Sequence, residues 1–335
     1  MPFRPPATLL ATLLLATAPA CAPDVAGEPG EPSRDEAPGA EQAAGANPGA
    51  AGAGPGLAPE EPGEAPPLTP DEAVCQRWVE VRAALTEGQW TGSVAECDPG
   101  RLEERGRKSA LALLNYYRGL AGLPAVVNRA DLDERAQGCA LLMDANDKLS
   151  HKPPRGWECW SKQAAEDAGL SNLSGGPGVK SIDAYLVDPG NEKTLGHRRW
   201  LLSGALGPVG LGGTDDASCM LVGESDGTAD PPYVAWPPPG RVPLQAFDPI
   251  WEPLDSVGWS IQSETLDLDR AEVVVREGDR ELEVQVKKLA HDYGSWRALR
   301  VVPKGWSARG GASYVVSVSG LEQPIEYTVS VVACE

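Results

Sequence analysis

The sequence is poor in histidine, with three in 335 residues. A neutral imidazole is the commonest metal ligand and the usual proton shuttle near neutral pH, so each histidine of such a chain is informative. His151 and His197 flank the polar, glycine-rich stretch 170–176, whereas His291 lies in a later polar segment and is most simply a loop histidine. We therefore expect any site to be built around His151 and His197.

After its N-terminus the chain lacks an apolar run long enough to span a bilayer. Residues 1–20 carry Arg4 and a short apolar stretch, and they end in small residues directly before Cys21. This pattern is typical of a signal peptide that is cleaved before a lipid-modified cysteine. We predict a lipid anchor at Cys21 in a bacterial cell envelope, with the outer membrane favoured because Ala22 is not aspartate. The alternative is ordinary signal cleavage that leaves a free thiol.

Basic residues are also scarce, since 29 Lys and Arg stand against 48 Asp and Glu and the net charge is −19. This balance does not suit a nucleic-acid partner. Much of the acidic excess lies in residues 21–68, which otherwise consist mainly of Ala, Gly and Pro. Such a stretch buries too little apolar surface to offset its chain entropy, so we predict a disordered linker there.

No Cys-x-x-Cys spacing occurs, which excludes the usual zinc-knuckle and redox motifs. The six cysteines beyond Cys21 predict three disulfides in an oxidising compartment; they are Cys75, Cys97, Cys139, Cys159, Cys219 and Cys334. Sequence alone leaves every pairing of the six open. The simplest is neighbour pairing, which joins Cys75 to Cys97, Cys139 to Cys159, and Cys219 to Cys334.

Helical patterns come first along the chain. Thr69, Pro70 and Glu72 predict a helix start with a capping box, so residues 69–104 are assigned to an N-terminal helical segment. Further helices are predicted at about 102–120, 129–148, 161–168 and 181–187 from apolar periodicity and stop signals. The residues predicted to face inward from the first two of these helices are Ala110, Leu113, Leu114, Tyr117, Leu132, Ala136, Cys139, Ala140 and Met143. Short strands are predicted at 200–202, 209–211, 218–222 and 233–236. Helices followed by strands predict an α+β domain over residues 105–236.

Residues 235–240 read as a stiff proline linker into a different region. Six strand-like segments follow, at 257–261, 271–276, 282–286, 298–302, 314–318 and 325–332. They predict a small all-β sandwich of immunoglobulin-like type over residues 237–335. This region contains no recognisable catalytic cluster.

Several short motifs of the α+β region occur in a recognisable order: Leu114-Asn115-Tyr116-Tyr117-Arg118, Leu149-Ser150-His151, Ser171-Asn172-Leu173 and Gly196-His197-Arg198-Arg199-Trp200. In order and spacing, residues from Leu111 to about Gly213 resemble bacterial members of the CAP superfamily, which comprises cysteine-rich secretory, antigen 5 and pathogenesis-related proteins. The resemblance implies an α-β-α sandwich whose cleft is lined by two histidines and two acidic residues. It also implies that the cleft holds a divalent cation in several members.

Carried over by position, His151 and His197 take the two histidine places, Ser171 takes the first acidic place beside Asn172, and Asp188 takes the second. Two imidazoles and one carboxylate can hold zinc or a similar divalent cation with water in the fourth position, so His151, His197 and Asp188 are the metal candidates. A serine hydroxyl is a poor substitute for a carboxylate. Glu166 and Asp167, one turn earlier, are possible replacements. The alternative is a cleft without metal, in which both histidines are hydrogen-bonded to each other, to Asp188 or to water.

Two other motifs carry weaker hypotheses. Arg198 and Arg199 either grip an anionic ligand at the cleft mouth or, more commonly, form surface ion pairs. Residues 223–227 spell Gly-x-Ser-x-Gly around Ser225, but the helix that a nucleophile elbow needs is not predicted after it. A polar turn between strands is the favoured reading of that stretch.

Together these patterns favour a surface-anchored CAP-domain lipoprotein that binds a ligand, polymer or partner through its cleft and is not an enzyme. One alternative is a metal-dependent hydrolase or peptidase that uses the two-histidine cleft. Another is a structural envelope module.

Overall fold

The computed structural model describes residues 68–334. The predicted signal peptide, the lipid site at Cys21 and the acidic linker lie outside these residues. Within them, no helix is long and apolar enough to cross a membrane. The chain from residue 68 to 334 falls in one compact unit, in which an α+β region is followed by a β-rich region.

The α+β region contains six helices and one sheet between residues 68 and 221. Its helices are α1 (Pro70–Ala83), α2 (Glu104–Leu120), α3 (Ala130–Asp144), α4 (Lys162–Ala168), α5 (Gly178–Val187) and α6 (Gly196–Leu201). Its strands are β1 (Ser171–Ser174), β2 (Gly210–Gly213) and β3 (Ser218–Leu221), which form an antiparallel sheet in the order β1-β3-β2.

The longer helices form where their sequence signals predict. Thr69 and Glu72 make the predicted capping box at the start of α1, and Pro70 opens that helix. In α2 and α3 the apolar residues predicted to face inward are all buried: Ala110, Leu113, Leu114, Tyr117, Leu132, Ala136, Cys139, Ala140 and Met143. Helical periodicity therefore identified the face that each helix packs against the rest of the molecule.

The β-rich region consists of two sheets, one short α-helix and two 3-10 helices, at Leu244–Ala246 and Leu268–Arg270. Its elements are β4 (Val234–Trp236), β5 (Gly240–Pro243), α7 (Leu254–Val257), β6 (Trp259–Ser263), β7 (Glu272–Glu277), β8 (Arg280–Leu282), β9 (Val284–Lys288), β10 (Arg297–Pro303), β11 (Ser313–Ser319) and β12 (Ile325–Val332). One sheet has the order β4-β6-β10-β9 and the other β5-β12-β11-β7-β8, in which only β5 and β12 pair in parallel. Trp259 of the first sheet packs edge-on against Tyr314 of the second at 5.8 Å between ring centroids, so the two sheets share an interior.

The proline-rich stretch after residue 234 is part of the core and not an exposed linker. Strand β4 pairs with β6, and Trp236 at its end is 1% exposed. The Trp236 ring meets the ring of Tyr117 in α2 edge-on at 5.5 Å. The linker interpretation failed because proline content reports local stiffness only, whereas pairing with β6 and burial of the indole depend on distant residues.

The six cysteines form three disulfides, as predicted, but all three neighbour pairings are wrong. The observed pairs are Cys75–Cys334, Cys97–Cys159 and Cys139–Cys219. Cys139 lies on the face of α3 that packs on β3, the strand that carries Cys219, and α1 with Cys75 packs beside β5 and β12. The packing of elements selects each partner, and distance along the chain does not. Three disulfides also indicate an extracellular or otherwise oxidising environment.

Candidate functional site

His151 and His197 lie together in one cavity of about 420 Å³, with 6.4 Å between their ring centroids. The cavity is lined by His151, Gly169, Leu170, Ser171, Asn172, Asn191, Thr194, Gly196, His197, Trp200, Val222, Gly223 and Tyr293. Its volume falls within the range of about 300–1,000 Å³ that is typical of small-molecule sites. The structure thus brings together four of the five residues predicted for the cleft, namely both histidines, Ser171 and Asn172.

The fifth, Asp188, lies behind His197 and does not line the cavity. It ends α5 in the left-handed conformation, with φ 62°, and its side chain is fully buried. One carboxylate oxygen accepts hydrogen bonds from the backbone N–H groups of His197 and Arg198, at 3.0 and 3.3 Å. The other lies 3.1 Å from His197 Nδ1 and 2.8 Å from Asn191 Nδ2. Asp188 therefore caps the start of α6 and orients the imidazole that enters the cavity.

The strand predicted at residues 200–202, shortly after His197, is wrong. Residues 196–201 form α6, a short helix. The Asp188 carboxylate satisfies backbone N–H groups that a helix start leaves free, which favours a helix over a strand at this point. Nothing in the apolar run Trp200-Leu201-Leu202 reveals that contact, because Asp188 belongs to the end of another helix.

The contacts at Nδ1 hold both imidazoles in place. His151 Nδ1 lies 2.8 Å from the carbonyl oxygen of Ala168, and a carbonyl only accepts, so this nitrogen carries a proton. His197 Nδ1 lies 3.1 Å from an Asp188 carboxylate oxygen and 3.3 Å from Asn191 Nδ2, so both a hydrogen-bond acceptor and a donor face this nitrogen. The Nε2 atoms of the two rings have no hydrogen-bond partner among residues 68–334 and are available to a ligand.

Tyr185 and Asn172 complete the support of His197. The Tyr185 ring packs edge-on against the imidazole at 5.2 Å, and its hydroxyl donates to the Asn172 backbone oxygen at 3.0 Å. Burial raises the pKa of this phenol, which keeps it protonated as a donor. The Asn172 side chain donates through Nδ2 to the His197 backbone oxygen at 3.2 Å.

The acidic side chains near Ser171 do not replace the missing carboxylate. The Ser171 hydroxyl donates to the backbone oxygen of Asp167 at 2.8 Å. The Asp167 carboxylate is buried and pairs with Arg135 at 2.6 Å, and Glu166 contacts Lys162 at the surface. Neither acid lines the cavity.

These donors do not match the ligand set of a catalytic zinc site, which commonly has three protein ligands. Two imidazoles reach the cavity, Ser171 offers a hydroxyl that is already hydrogen-bonded, and the Asp188 carboxylate lies behind His197. Among residues 68–334 no group of three or more His, Cys, Asp or Glu side chains is placed to hold a metal ion. We derive no chemistry through a metal from this arrangement.

Arg198 and Arg199 are fully buried and neither grip a ligand nor form surface ion pairs. Arg198 donates to the backbone oxygens of Leu186, Val187 and Gly258, at 2.6–2.7 Å. Burial lowers the pKa of each guanidinium to about 10. Both sequence interpretations failed because they placed the two guanidinium groups within reach of solvent, at the cleft mouth or at the surface. In the helix both side chains instead reach carbonyl groups of neighbouring elements.

The remaining candidates lie outside this site. Ser225 is exposed in a segment without helix, as the polar-turn interpretation predicts. His291 is exposed in the connection between β9 and β10, with Nε2 3.6 Å from Asp269. A larger cavity of about 560 Å³ between α1 and α2 has neither histidine nor cysteine in its lining.

Among the lining residues that sequence reasoning missed, four have polar or aromatic side chains: Asn191, Thr194, Trp200 and Tyr293. Trp200 belongs to the motif that carries His197, and Asn191 and Thr194 lie in the turn before it, so proximity to His197 was an available signal. Tyr293 lies almost a hundred residues further along the chain, and no sequence feature connects it to the histidines.

Part of the chain is similar to a known protein family. The model described as CAP, the cysteine-rich secretory protein family, matches residues 111–218. Comparison with curated proteins found no match, and comparison with solved structures found none either. The matched stretch contains every lining residue of the cavity except Val222, Gly223 and Tyr293.

Proposed function

Because the chain belongs to the CAP superfamily through residues 111–218, we propose that it is a ligand-binding protein of the bacterial cell envelope that uses the two-histidine cavity as its binding site. The observation that carries this proposal is the pair of imidazoles, contacted at Nδ1 by Ala168 and by Asp188, which line one cavity of small-molecule size. Such an arrangement supports recognition through directed hydrogen bonds.

The same geometry disfavours catalysis. A nucleophilic mechanism needs a hydroxyl or thiol within hydrogen-bond reach of its base. Of the serine and threonine side chains that line the cavity, Ser171 donates to the Asp167 backbone oxygen and Thr194 to the Asn191 backbone oxygen. Metal-assisted hydrolysis lacks a third ligand, as described above. We therefore place the metal-dependent hydrolase and the purely structural module behind ligand binding.

Binding in the cavity is tested by ligand-observed NMR with a library of small polar fragments. Gly223 lines the cavity and is exposed, and the three atoms nearest to a Cβ there would belong to the side chain of Leu170, at 3.1–3.5 Å. Gly223→Phe should therefore fill the cavity and release fragments that bind the wild type. Gly156→Phe is the matched control, because a Cβ there has open space around it. Fragments that bind both variants and the wild type equally would contradict a binding role for this cavity.

The non-enzymatic part of the proposal has its own test. The wild type and His197→Ala are incubated with casein and with a neutral polysaccharide, and new amino ends and reducing ends are counted. We expect no product above background from either protein. Product formation by the wild type that His197→Ala abolishes would establish the hydrolase instead.

Anchoring at Cys21 is proposed from the sequence pattern at residues 1–21. In a bacterial host, metabolic labelling with an alkyne fatty acid should mark the wild type and not Cys21→Ala, and the variant should leave the membrane fraction. Equal labelling of the two proteins would show that Cys21 is not the lipidated residue.

A further inference from the structure

One wall of the histidine cavity comes from the β-rich region. Tyr293 lies in the connection between β9 and β10, and it lines the cavity together with Trp200 and Gly196 of α6. It lies outside the matched CAP stretch of residues 111–218. The ring is 40% exposed, so one face remains available to a ligand.

Arg199 holds this connection in place from the CAP side. Its guanidinium donates to the backbone oxygen of Ala290 at 2.6 Å, and to the hydroxyl and backbone oxygen of Ser295 at 3.0 and 2.6 Å. The Ala290 N–H donates in turn to the Lys193 backbone oxygen at 3.1 Å. A buried guanidinium held by several carbonyl groups is costly to release, so the Tyr293 wall is pre-formed.

Two glycines permit the close approach of the wall. Gly294 has φ +65°, and a Cβ there would lie 2.6 Å from the backbone of Arg199. A Cβ at Gly196 would lie 3.0 Å from Tyr293 Cδ1. The tyrosine ring thus packs directly over the start of α6, beside His197.

The polar groups of the cavity include both hydrogen-bond acceptors and donors. The imidazole Nε2 atoms have no hydrogen-bond partner among the described residues. Asn172 and Asn191 donate their amide N–H groups to the His197 backbone oxygen and to Asp188, and their amide oxygens have no donor among the described residues. Trp200 adds an indole N–H, which only donates, and Tyr293 adds a hydroxyl, which donates and accepts. An occupant with several groups that both donate and accept matches this set.

The residue types of the cavity lining also restrict the charge that a ligand can carry. None of the lining residues is Asp, Glu, Lys or Arg. A cationic ligand would enter without a carboxylate partner, and an anionic ligand without a guanidinium or ammonium group, and burial of an unpaired charge is costly. Trp200, Tyr293 and the exposed Leu170 add apolar surface beside the acceptors.

Resting on the proposal that this cavity binds a ligand, we propose that its occupant is an uncharged sugar unit of a polysaccharide and that Tyr293 is a specificity-determining residue. A sugar ring carries several hydroxyl groups on its edge, each of which donates and accepts, and C–H groups on its faces. This combination suits a cavity that has both kinds of hydrogen-bonding group and aromatic walls. The sugar edge bonds to the Nε2 atoms and amide oxygens, and the sugar face packs on the Tyr293 ring.

The test uses the full chain and three soluble probes: chitotetraose and cellotetraose, which are neutral, and tetragalacturonate, which is anionic. Binding is measured by saturation-transfer NMR and calorimetry. At least one neutral probe should bind, tetragalacturonate should not, and the transferred signal should come from ring C–H groups. Tyr293→Ala should weaken that binding by at least about tenfold, because aromatic anchors dominate such contacts. Tyr293→Phe should retain most of it, because the ring face is kept.

Trp296→Ala is the matched control. Trp296 lies in the same connection with the same 40% exposure, but it does not line the cavity, so its loss should leave sugar binding unchanged. Equal binding by the wild type and Tyr293→Ala would overturn the role of Tyr293. Binding of tetragalacturonate alone would overturn the uncharged class. Failure of all three sugars while polar fragments still bind the cavity would overturn this inference and leave the proposed function standing.

Discussion

At the scale of single residues, hydrogen-bond partners decide what each polar side chain does. Asp188 and Asp167 are both fully buried carboxylates near the cavity, yet Asp188 orients His197 and Asp167 pairs with Arg135. Arg198 and Arg199 donate hydrogen bonds to backbone oxygens. Residue type alone therefore did not distinguish side chains that reach the cavity from side chains that hold other residues in place.

A pH prediction follows from a buried carboxylate in the β-rich region. Asp255 accepts hydrogen bonds from Trp259 Nε1 at 2.7 Å and from the Ala308 N–H at 2.6 Å, and burial raises its pKa above the ordinary 3.8. The folded state then binds this proton more tightly than the unfolded state does. The cost of the buried charge is present above the folded pKa and disappears as the pH falls below 3.8.

Relative to Asp255→Asn, the wild type should therefore gain unfolding free energy as the pH is lowered from about 7 to about 4. Urea unfolding of both proteins across this range measures the difference, in which shared titrations cancel. Asp279→Asn, at an exposed position, is the control for loss of one charge. If the unfolding free energy of the wild type instead falls relative to that of Asp255→Asn on acidification, the raised pKa of Asp255 is contradicted.

At the scale of elements, glycines set how closely α3 packs on the three-stranded sheet. A Cβ at Gly212 in β2 would lie 2.2 Å from the backbone carbon of Ala136, and one at Gly210 would lie 2.2 Å from the Leu132 backbone oxygen. Helix backbone cannot move aside as a flexible side chain can. The glycines that punctuate this stretch of sequence are therefore packing positions between α3 and the sheet.

Gly212→Ala should lower the free energy of unfolding by about 1–3 kcal/mol, the usual cost of overpacking a tight interior. Gly138→Ala is the matched control on the α3 side. A Cβ there meets only the Ala164 methyl group at 3.9 Å, and alanine is favoured over glycine inside a helix by about 0.5–1 kcal/mol. Chemical denaturation should thus give opposite signs for the two variants. A neutral Gly212→Ala would show that α3 can lift from the sheet at little cost.

At the scale of the whole molecule, the α+β and β-rich regions are joined through their interiors. Trp236 packs on Tyr117, Gln262 donates to the backbone oxygens of Arg199 and Leu202, and Arg199 reaches the connection that carries Tyr293. The Cys75–Cys334 disulfide links α1 to the end of β12. The β-rich region therefore supports the cavity that the CAP stretch mainly forms.

Removal of Cys75–Cys334 by paired serine substitution should cost about 2–5 kcal/mol of unfolding free energy. It should cost about 1 kcal/mol more than removal of Cys97–Cys159, because the chain-entropy effect grows with the separation closed, 259 against 62 residues. Denaturant unfolding of the two double variants makes the comparison. An equal or smaller loss for Cys75–Cys334 would show that the native contacts of α1, and not chain closure, dominate this link.

The sequence by itself determined the features that depend on neighbouring residues. The capping box of α1, the inward faces of α2 and α3, the α+β order followed by a β-rich region, and the CAP resemblance were all readable from local pattern. The histidine motifs also identified the two imidazoles that share the cavity. These features follow from helical periodicity, capping and motif order, which act over a few residues.

Only the tertiary structure decided the rest. The partner of each cysteine, the position of Asp188 behind His197, the burial of Arg198 and Arg199, and the arrival of Tyr293 all depend on which elements pack together. Each contact joins residues through backbone carbonyls, close helix–sheet packing or strand pairing, none of which has a fixed sequence spacing. The sequence therefore identifies the two histidines of the cavity. The wall that Tyr293 forms depends on the packing of the β-rich region against α6.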